Sequence, residues 1–394
     1  MENNEFQIEY VVGSAEIIEK MKNNAVQKIF GDISVKFLNN LSEKILHDKA
    51  AKAYSDVITF AFWCRRASLI KMAEKYCQGE CRLGKGILFH IAPSNVAVNF
   101  AYSLAAGLLA GNSNIVRLPS KHFVQADIIC RNIAELLLAD AAMRPFICLV
   151  KYSHDKKITD WLSKICHMRI IWGGDNTIAE IRKSPLEPYA GEITFFDRFS
   201  VMLIDGQKYI TMENKADIAE RFYNDTYLTD QNACTAPRII VWLNATADIK
   251  KIFWDNVGLK LDKYSFQPVQ AVDKLEMMCR AAILEKASLS YKFKNLLVCM
   301  EIKSLDKAIR ECMGNSGFFL EYAAASLDEL MELFSNRKCQ TVACVGIDKA
   351  KVKAWLECKR PLGVDRVTDV GATMDFSLNW DGHNLISEMS RVIE

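Results

Sequence analysis

The stretch TDQNACTAPR, residues 229–238, sets a cysteine among small and turn-favouring residues, just ahead of the apolar run RIIVWL. A thiolate attacks acyl carbons readily when it is reachable and when donors or cations support its charge. The chain has 13 cysteines, an odd number without the spacing of a secreted disulfide framework. Most of them are expected to be small buried hydrophobes. Cys234 differs by position. It lies between a polar helix end and a strand, beside Gln231, Asn232 and Thr235, on a connection of the kind that runs near the surface and carries function. The reading is a covalent nucleophile.

Three further stretches offer polar groups at strand ends. In HIAPSNV (90–96) a strand ends at Ile91, Pro93 breaks it, and Asn95 is placed at the start of a helix. Its amide and the nearby backbone N–H groups favour an anion or oxyanion. From position alone, a helix N-cap is the usual job of such a residue. GNSNIVRLPSK (111–121) is a turn, a strand and a basic end with Arg117, Ser120 and Lys121 and no acid. A ribose 2′-OH calls for an acid there and a 2′-phosphate calls for cations, so a dinucleotide at this end would be NADPH, although a solvated basic turn gives the same pattern and is the commoner reason for it. IIWGGDNTIAEI (170–181) is a strand, Gly173 and Gly174, then a helix with Thr177 in its first turn. Paired glycines admit close backbone approach to a ligand, although a plain turn gives the same pattern.

These stretches need elements to hold them. The first 76 residues read as helical, with one helix around Phe37, Leu38, Leu41, Ile45 and Leu46 and a second running towards Tyr76. Short apolar runs then alternate with amphipathic stretches: 86–91, 114–118, 146–150, 169–172 and 200–204, with helices at 122–139 and 155–166 between them. That alternation predicts a mostly parallel sheet covered on both faces, with ligands at the carboxyl ends of its strands. A second block has a helix at 214–226, the Cys234 loop, and strands within 238–243, 294–302 and 341–347. The expected domains are 1–205 (N-terminal helices and dinucleotide-binding), 206–365 (catalytic) and 366–394, a C-terminal strand and helix that pack back or oligomerise.

Composition removes other classes. Lys and Arg number 50 against 48 Asp and Glu, a net charge of +2, which argues against broad nucleic-acid binding. The charge-free segment from Gly86 to Val116 is interrupted by APSN and GNSN, so it reads as a buried helix and not a membrane span. MENNEFQIEY has no apolar signal-peptide core, which with the cysteine usage points to the cytoplasm. The six histidines show no paired metal spacing, and Cys77 and Cys81 lack partners for zinc, so no metal site is expected. His90 reads as structural. No P-loop, G-x-S-x-G or H-E-x-x-H is present.

In order and spacing, HIAPSNV, GNSNIVRLPSK, WGG and DQNACTAPR resemble the acyl-CoA reductases of the bacterial luminescence fatty-acid reductase (LuxC-like) family, within the aldehyde dehydrogenase superfamily. LSEKIL, FAFWCRR, CQTV, GVDRVTDVG and WDG extend the resemblance over nearly the whole chain. It implies an α/β, aldehyde-dehydrogenase-like fold, a Rossmann-type cofactor domain plus a second α/β catalytic domain. By the same resemblance Cys234 accepts the acyl group and Asn95 donates to the oxyanion. Arg117 and Ser120 fall by the adenosine ribose, and Gly173 and Gly174 by the cofactor phosphates. The superfamily's E-x-F-G-P segment, which holds the nicotinamide ribose, is not visible.

The implied reaction is NADPH-dependent reduction of an acyl-CoA, or an acyl-protein thioester, to the aldehyde through acyl-Cys234. A homo-oligomer and a partner acyl-protein synthetase are expected with it. The alternatives are a cysteine acyltransferase or thioesterase without nicotinamide, which needs a partnered histidine, and a non-catalytic acyl-binding partner. Hydrolytic superfamily members place a Glu before a GGKSP-like strand entry. Aligning Ser200 with that serine puts Phe195 at the Glu position, with Glu192 and Asp197 out of register.

Overall fold

Strands with both faces buried must be apolar along their whole length, and the chain supplies several. In the computed structural model, which describes residues 7–77, 79–284 and 286–394, they build two separate sheets. The chain folds as two compact units, one up to Phe196 joined by Phe376–Glu394, the other Asp197–Asp375. Both are mixed α/β.

In the first unit the sheet order is Glu9–Val12, Ile147–Lys151, Ser113–Arg117, Ile87–Ile91, Met168–Trp172, Gly191–Phe195. All neighbours are parallel except the antiparallel edge strand Glu9–Val12. Every residue of Ile87–Ile91, Ser113–Arg117 and Met168–Trp172 is buried. The chain runs outward through three strands from Ile87–Ile91, then returns to its other side with Met168–Trp172. That reversal is the topological switch point at which open α/β sheets bind ligands, at the carboxyl ends of the strands. Helix Asn99–Leu109 is buried from Phe100 onward, which accounts for the charge-free stretch. Among the described residues no helix is long and apolar enough to cross a membrane.

A buried polar chain ties this edge together. His90 makes contacts through Nδ1 with Ser103 Oγ (2.7 Å) and through Nε2 with Asn114 Oδ1 (2.9 Å). Trp172 Nε1 donates to the same Ser103 hydroxyl at 3.0 Å. Burial pushes the His90 imidazole down to about 4, so it stays neutral. Gly107 is required behind it, since a Cβ there would stand 1.9 Å from Asn114 Oδ1.

The second unit's sheet runs Ser288–Phe293, Leu297–Glu301, Phe318–Ala324, Pro237–Leu243, Phe199–Asp205, Cys339–Val345, Arg366–Asp369. Only the hairpin at its start is antiparallel. The apolar run 200–204 is therefore a central strand of this second sheet and does not extend the first. It pairs with Pro237–Leu243 and Cys339–Val345, which places the boundary before it and not at 205/206. The expected helix towards Tyr76 is two helices, Ser55–Trp63 and Arg66–Tyr76. In the tail, Arg366–Asp369 joins the second sheet. A short helix, Leu385–Glu388, then precedes the strand Ser390–Ile393, which pairs with Cys81–Gly84 in the first unit.

Candidate active site

Cys234 sits in a turn between the helical end Tyr227–Thr229 and the strand Pro237–Leu243, and is half-buried. The loop is built against backbone preference. Asp230 and Gln231 both adopt left-handed conformations, φ 51° and 54°, which cost a non-glycine residue roughly 1–2 kcal/mol. Such a conformation persists only where its surroundings over-determine it. Gln231 is fully buried, and its amide does this. Oε1 accepts from Gly317 N at 2.7 Å, and Nε2 donates to the carbonyls of Pro237 (3.3 Å) and Phe318 (3.2 Å). Gly317, at φ 82°, could carry no side chain, because a Cβ would lie 2.1 Å from the Leu296 carbonyl. Asp230 accepts from Gln270 Nε2 (2.8 Å), Ser316 Oγ (3.0 Å) and the Tyr264 hydroxyl.

Three side chains address the cysteine itself. Gln340 Nε2 donates to Cys234 Sγ at 3.4 Å, and Ser200 Oγ donates to the Cys234 carbonyl at 2.8 Å. Arg238 donates from Nη2 to the Gln231 carbonyl at 2.9 Å. Burial lowers the Arg238 guanidinium pKa, while the charges of Cys234 and Asp197 raise it, so Arg238 and the thiol are electrostatically coupled. The loop is also held from its far side. Thr235 Oγ1 donates to Met374 Sδ at 3.2 Å, and the segment carrying Met374 is gripped by Asp225, which accepts from Gly371 N (2.6 Å) and Thr373 N (3.1 Å). Elsewhere, burial pushes thiols up: Cys130, Cys148, Cys166, Cys339 and Cys344 to about 12. Those thiols stay protonated and unreactive.

In the first unit the carboxyl edge gathers the other expected residues. Asn95 is exposed on the connection after Ile87–Ile91. It is not a helix cap: the helix begins at Asn99, and Val98 holds the N-cap position. Ser120 and Lys121 are exposed beyond Ser113–Arg117, and Lys121 Nζ lies 5.2 Å from the Phe123 ring centroid. Gly173 and Gly174 join Met168–Trp172 to the helix Asp175–Ile181, with Thr177 exposed in its first turn. A Cβ on Gly173 would press on Thr177 at 3.1 Å. Arg117 departs from the sequence reading, which aimed it at a ribose. It is 8% exposed, its Nη2 donates to the carbonyls of Tyr152 (3.4 Å) and Ser153 (3.3 Å), and its guanidinium lies 4.4 Å from the Tyr152 ring centroid. It clamps the end of the neighbouring strand.

Phe195 is buried and stacked on Trp172, centroids 3.6 Å apart. Glu192 bonds Arg169 (2.8 and 2.5 Å) and Arg182 (2.7 Å). Sequence reasoning missed the roles of Gln340 and Arg238. The signals were a lone amide inside the apolar CQTVACV and a cation at the threshold of RIIVWL. No group of His, Cys, Asp and Glu among the described residues could hold a metal.

Residues 55–392 match the acyl-CoA reductase (LuxC) family. No curated protein sequence matches the chain. Among solved structures, a mutant of 1-pyrroline-5-carboxylate dehydrogenase from Thermus thermophilus superposes with a TM-score of 0.67 at 11% identity, covering 97% of this chain and 83% of its own. The NAD-dependent benzaldehyde dehydrogenase of Corynebacterium glutamicum gives 0.65 at 11%, covering 100% and 95%. Lactaldehyde dehydrogenase of Escherichia coli gives 0.64 at 11%, covering 92% and 85%. The fold is that of the aldehyde dehydrogenases. The chain belongs to the acyl-CoA reductase (LuxC) family, and is an oxidoreductase that reduces an acyl group to the aldehyde.

Proposed function

We propose that this member of the family reduces an acyl thioester with NADPH through a covalent acyl-Cys234 intermediate. The observation that carries the reading is the Cys234 loop: a half-buried thiol on a left-handed conformation to which Gln231 contributes three hydrogen bonds, with Gln340 donating to its sulfur. The coupling to Arg238 is mutual, so the same cation favours the thiolate. The thiolate attacks the acyl carbonyl, and the donor's C–S bond breaks with the electron pair leaving on its sulfur. The donor is acyl-CoA or an acyl group carried on a partner acyl-protein synthetase. After reduction, the thiohemiacetal oxyanion collapses, frees the Cys234 thiolate and releases the aldehyde. Asn95 is assigned the oxyanion in both tetrahedral states.

The residues at the first sheet's carboxyl edge fit a dinucleotide phosphate. Ser120, Lys121 and Thr177 offer hydroxyl and ammonium donors, and the Gly173–Gly174 turn has no Cβ to stand off the backbone. A reduced nicotinamide bound there supplies the hydride. Lys121 is assigned the 2′-phosphate, and Arg117 shapes the strand end beside it.

At the position aligned with the hydrolytic Glu, the stretch before Ser200 carries no general base. Phe195 is apolar and buried, and Glu192 is committed to two arginines. An acyl-enzyme should therefore persist until reduced. Intact-mass measurement after acyl-CoA addition without NADPH tests this. A single acyl adduct at Cys234, with one equivalent of CoA released and little free acid, is expected. Steady acid production without NADPH, lost in Glu192→Gln, would overturn it and favour a thioesterase.

A further inference from the structure

Gln340 is an amide in a strand, Cys339–Val345, whose every residue is buried. It is 2% exposed, at a place where an apolar side chain would pack without a desolvation cost. Its two ends face different partners. Oε1 lies 3.5 Å from the hydroxyl oxygens of Ser200 and Thr341, and Nε2 donates to Cys234 Sγ at 3.4 Å. The two hydroxyls fix which end of the amide meets the sulfur. Ser200 Oγ also donates to the Cys234 carbonyl at 2.8 Å, so one hydroxyl touches both the nucleophile's backbone and the amide. The strand start is held as well: Asp365 N donates to the Gln340 carbonyl at 2.9 Å, and Arg198 Nη2 to the Cys339 carbonyl at 3.1 Å. A thiol sulfur is a weak acceptor and an ionised one a strong acceptor, so this N–H stabilises most when negative charge is in front of it.

The charge does not stay on sulfur. Attack on a thioester joins Sγ to the acyl carbon, and the sulfur then holds no negative charge. The acyl oxygen stands two bonds from Sγ, closer than the amide nitrogen's 3.4 Å, so Nε2 can reach it at hydrogen-bond distance with the strand in place. Hydride addition to the acyl carbon moves the carbonyl π pair onto that oxygen. When the thiohemiacetal collapses, the C–S bond breaks and its pair returns to Sγ as thiolate. Resting on the reading of Cys234 as an acyl acceptor, we infer that Gln340 is a further catalytic residue, an amide donor that serves the thiolate before acylation and the acyl oxygen after it. Its hydrogen bond follows the negative charge from sulfur to oxygen and back. A donor whose bond strengthens as charge develops accelerates the step that develops it. Gln340 thus adds to Asn95 a donor on the nucleophile's own unit. An amide does not titrate, so it keeps its N–H at every stage and moves no proton itself.

The test follows the acyl carbonyl itself. Octanoyl-CoA with an isotope label at its carbonyl carbon acylates Cys234 without NADPH, and difference infrared spectra read the C=O stretch. Gln340→Met keeps the length of the side chain and removes the donor. Gln340→Glu keeps its shape and sets carboxylate oxygens against the sulfur. Both are expected to raise the C=O band, because a hydrogen bond to the oxygen lowers it. Both should slow single-turnover reduction of the preformed acyl-enzyme by roughly 10²-fold. Both should slow iodoacetamide alkylation of Cys234 at neutral pH about tenfold or more, the worth of a hydrogen bond to a charged group, with Gln340→Glu the slower. Thr341→Val, an isosteric change that takes one hydroxyl from Oε1, guards against a Gln340 variant that does not fold, and should raise the band by a smaller step. An unmoved band, or unchanged alkylation, in the folded variants would overturn the inference while leaving acyl-Cys234 intact. So would a fall in melting temperature with neither change, which would make Gln340 a packing residue. Absence of any adduct in wild type would instead remove the covalent reading, and this inference with it.

Discussion

The two sheets work from opposite edges. In the first unit, Asn95, Ser120, Lys121, Gly173 and Gly174 all follow strands, at the carboxyl ends. In the second, Cys234 precedes Pro237–Leu243, while Ser200, Gln340 and Gly317 lie at or just before the starts of three neighbouring strands. A carboxyl edge is rich in loops that lead into helix N-termini, and so in donors for phosphate. At an amino edge the loops arrive from helix C-termini, whose carbonyls carry partial negative charge and oppose a thiolate. The Cys234 loop arrives in this way, from the helix Lys215–Thr226 through Tyr227–Thr229. A nucleophile there needs its charge supplied by side chains, and Arg238 and Gln340 are the ones beside Cys234. On the proposed reading, the cofactor half draws on strand-end loops as well as side chains, and the nucleophile half on side chains for its charge.

Removing the one atom that the amino edge exists to hold tests the contrast most sharply. Cys234→Ala is expected to lower aldehyde formation by about 10⁴-fold or more and to abolish the acyl adduct. NADPH affinity, measured by fluorescence titration, should hardly change. An adduct in the alanine variant would move the chemistry to another thiol. Asn95→Ala comes next, with a loss of roughly 10²–10³ in single-turnover rate, the usual cost of one oxyanion donor. Because the N-cap position belongs to Val98, its melting temperature should stay close to wild type. A melting shift without a rate loss would mean a structural asparagine.

Legibility in the sequence follows the same division. The carboxyl edge could be read because its strands carry apolar runs and their ends carry turn residues. Cys234 could be read because its loop has an unusual local composition. What a local pattern cannot show is which distant residue will arrive. Gln340 reaches Cys234 across 106 positions, and the lone amide in CQTVACV does not say which residue it will meet. For the same reason 200–204 was legible as a strand but not as a member of the second sheet. GEITF escaped notice because an edge strand with half-exposed Glu192 lacks a continuous apolar run. Arg117 shows the converse error. A cation at a strand end looks free for a ligand until the neighbouring strand's carbonyls are in view.

That correction gives a smaller prediction. Lys121→Ala should weaken NADPH about tenfold, the worth of one charge-assisted hydrogen bond, and leave NADH unchanged. Arg117→Ala should affect both cofactors alike and lower the melting temperature, since it removes a buried strap. NADPH-selective loss in Arg117→Ala alone would restore that residue to the ribose.

The finest difference between the two units is the sign of their response to pH. Asp225, which grips the segment behind the Cys234 loop, is 1% exposed. Burial raises its carboxyl to about 6, Asp375 adds to the rise, and the N–H groups of Gly371 and Thr373 oppose it. A raised folded value means that the folded state binds the extra proton. Its stabilising contribution is full below the ordinary value of 3.8 and is lost as pH rises through about 6. His90 behaves in reverse. Its folded value is lowered from 6.5 to about 4, so its contribution is full above 6.5 and is lost as pH falls through about 4. Between these limits the two groups tilt stability in opposite directions, His90 favouring higher pH and Asp225 lower. The melting temperature of wild type minus Asp225→Asn should therefore fall as pH rises from 4 to 6. Wild type minus His90→Gln should climb over the same interval. Each change is expected to be a few degrees, for a linkage on the order of 1–3 kcal/mol. Parallel slopes would mean that at least one of these groups keeps its ordinary titration in the folded chain.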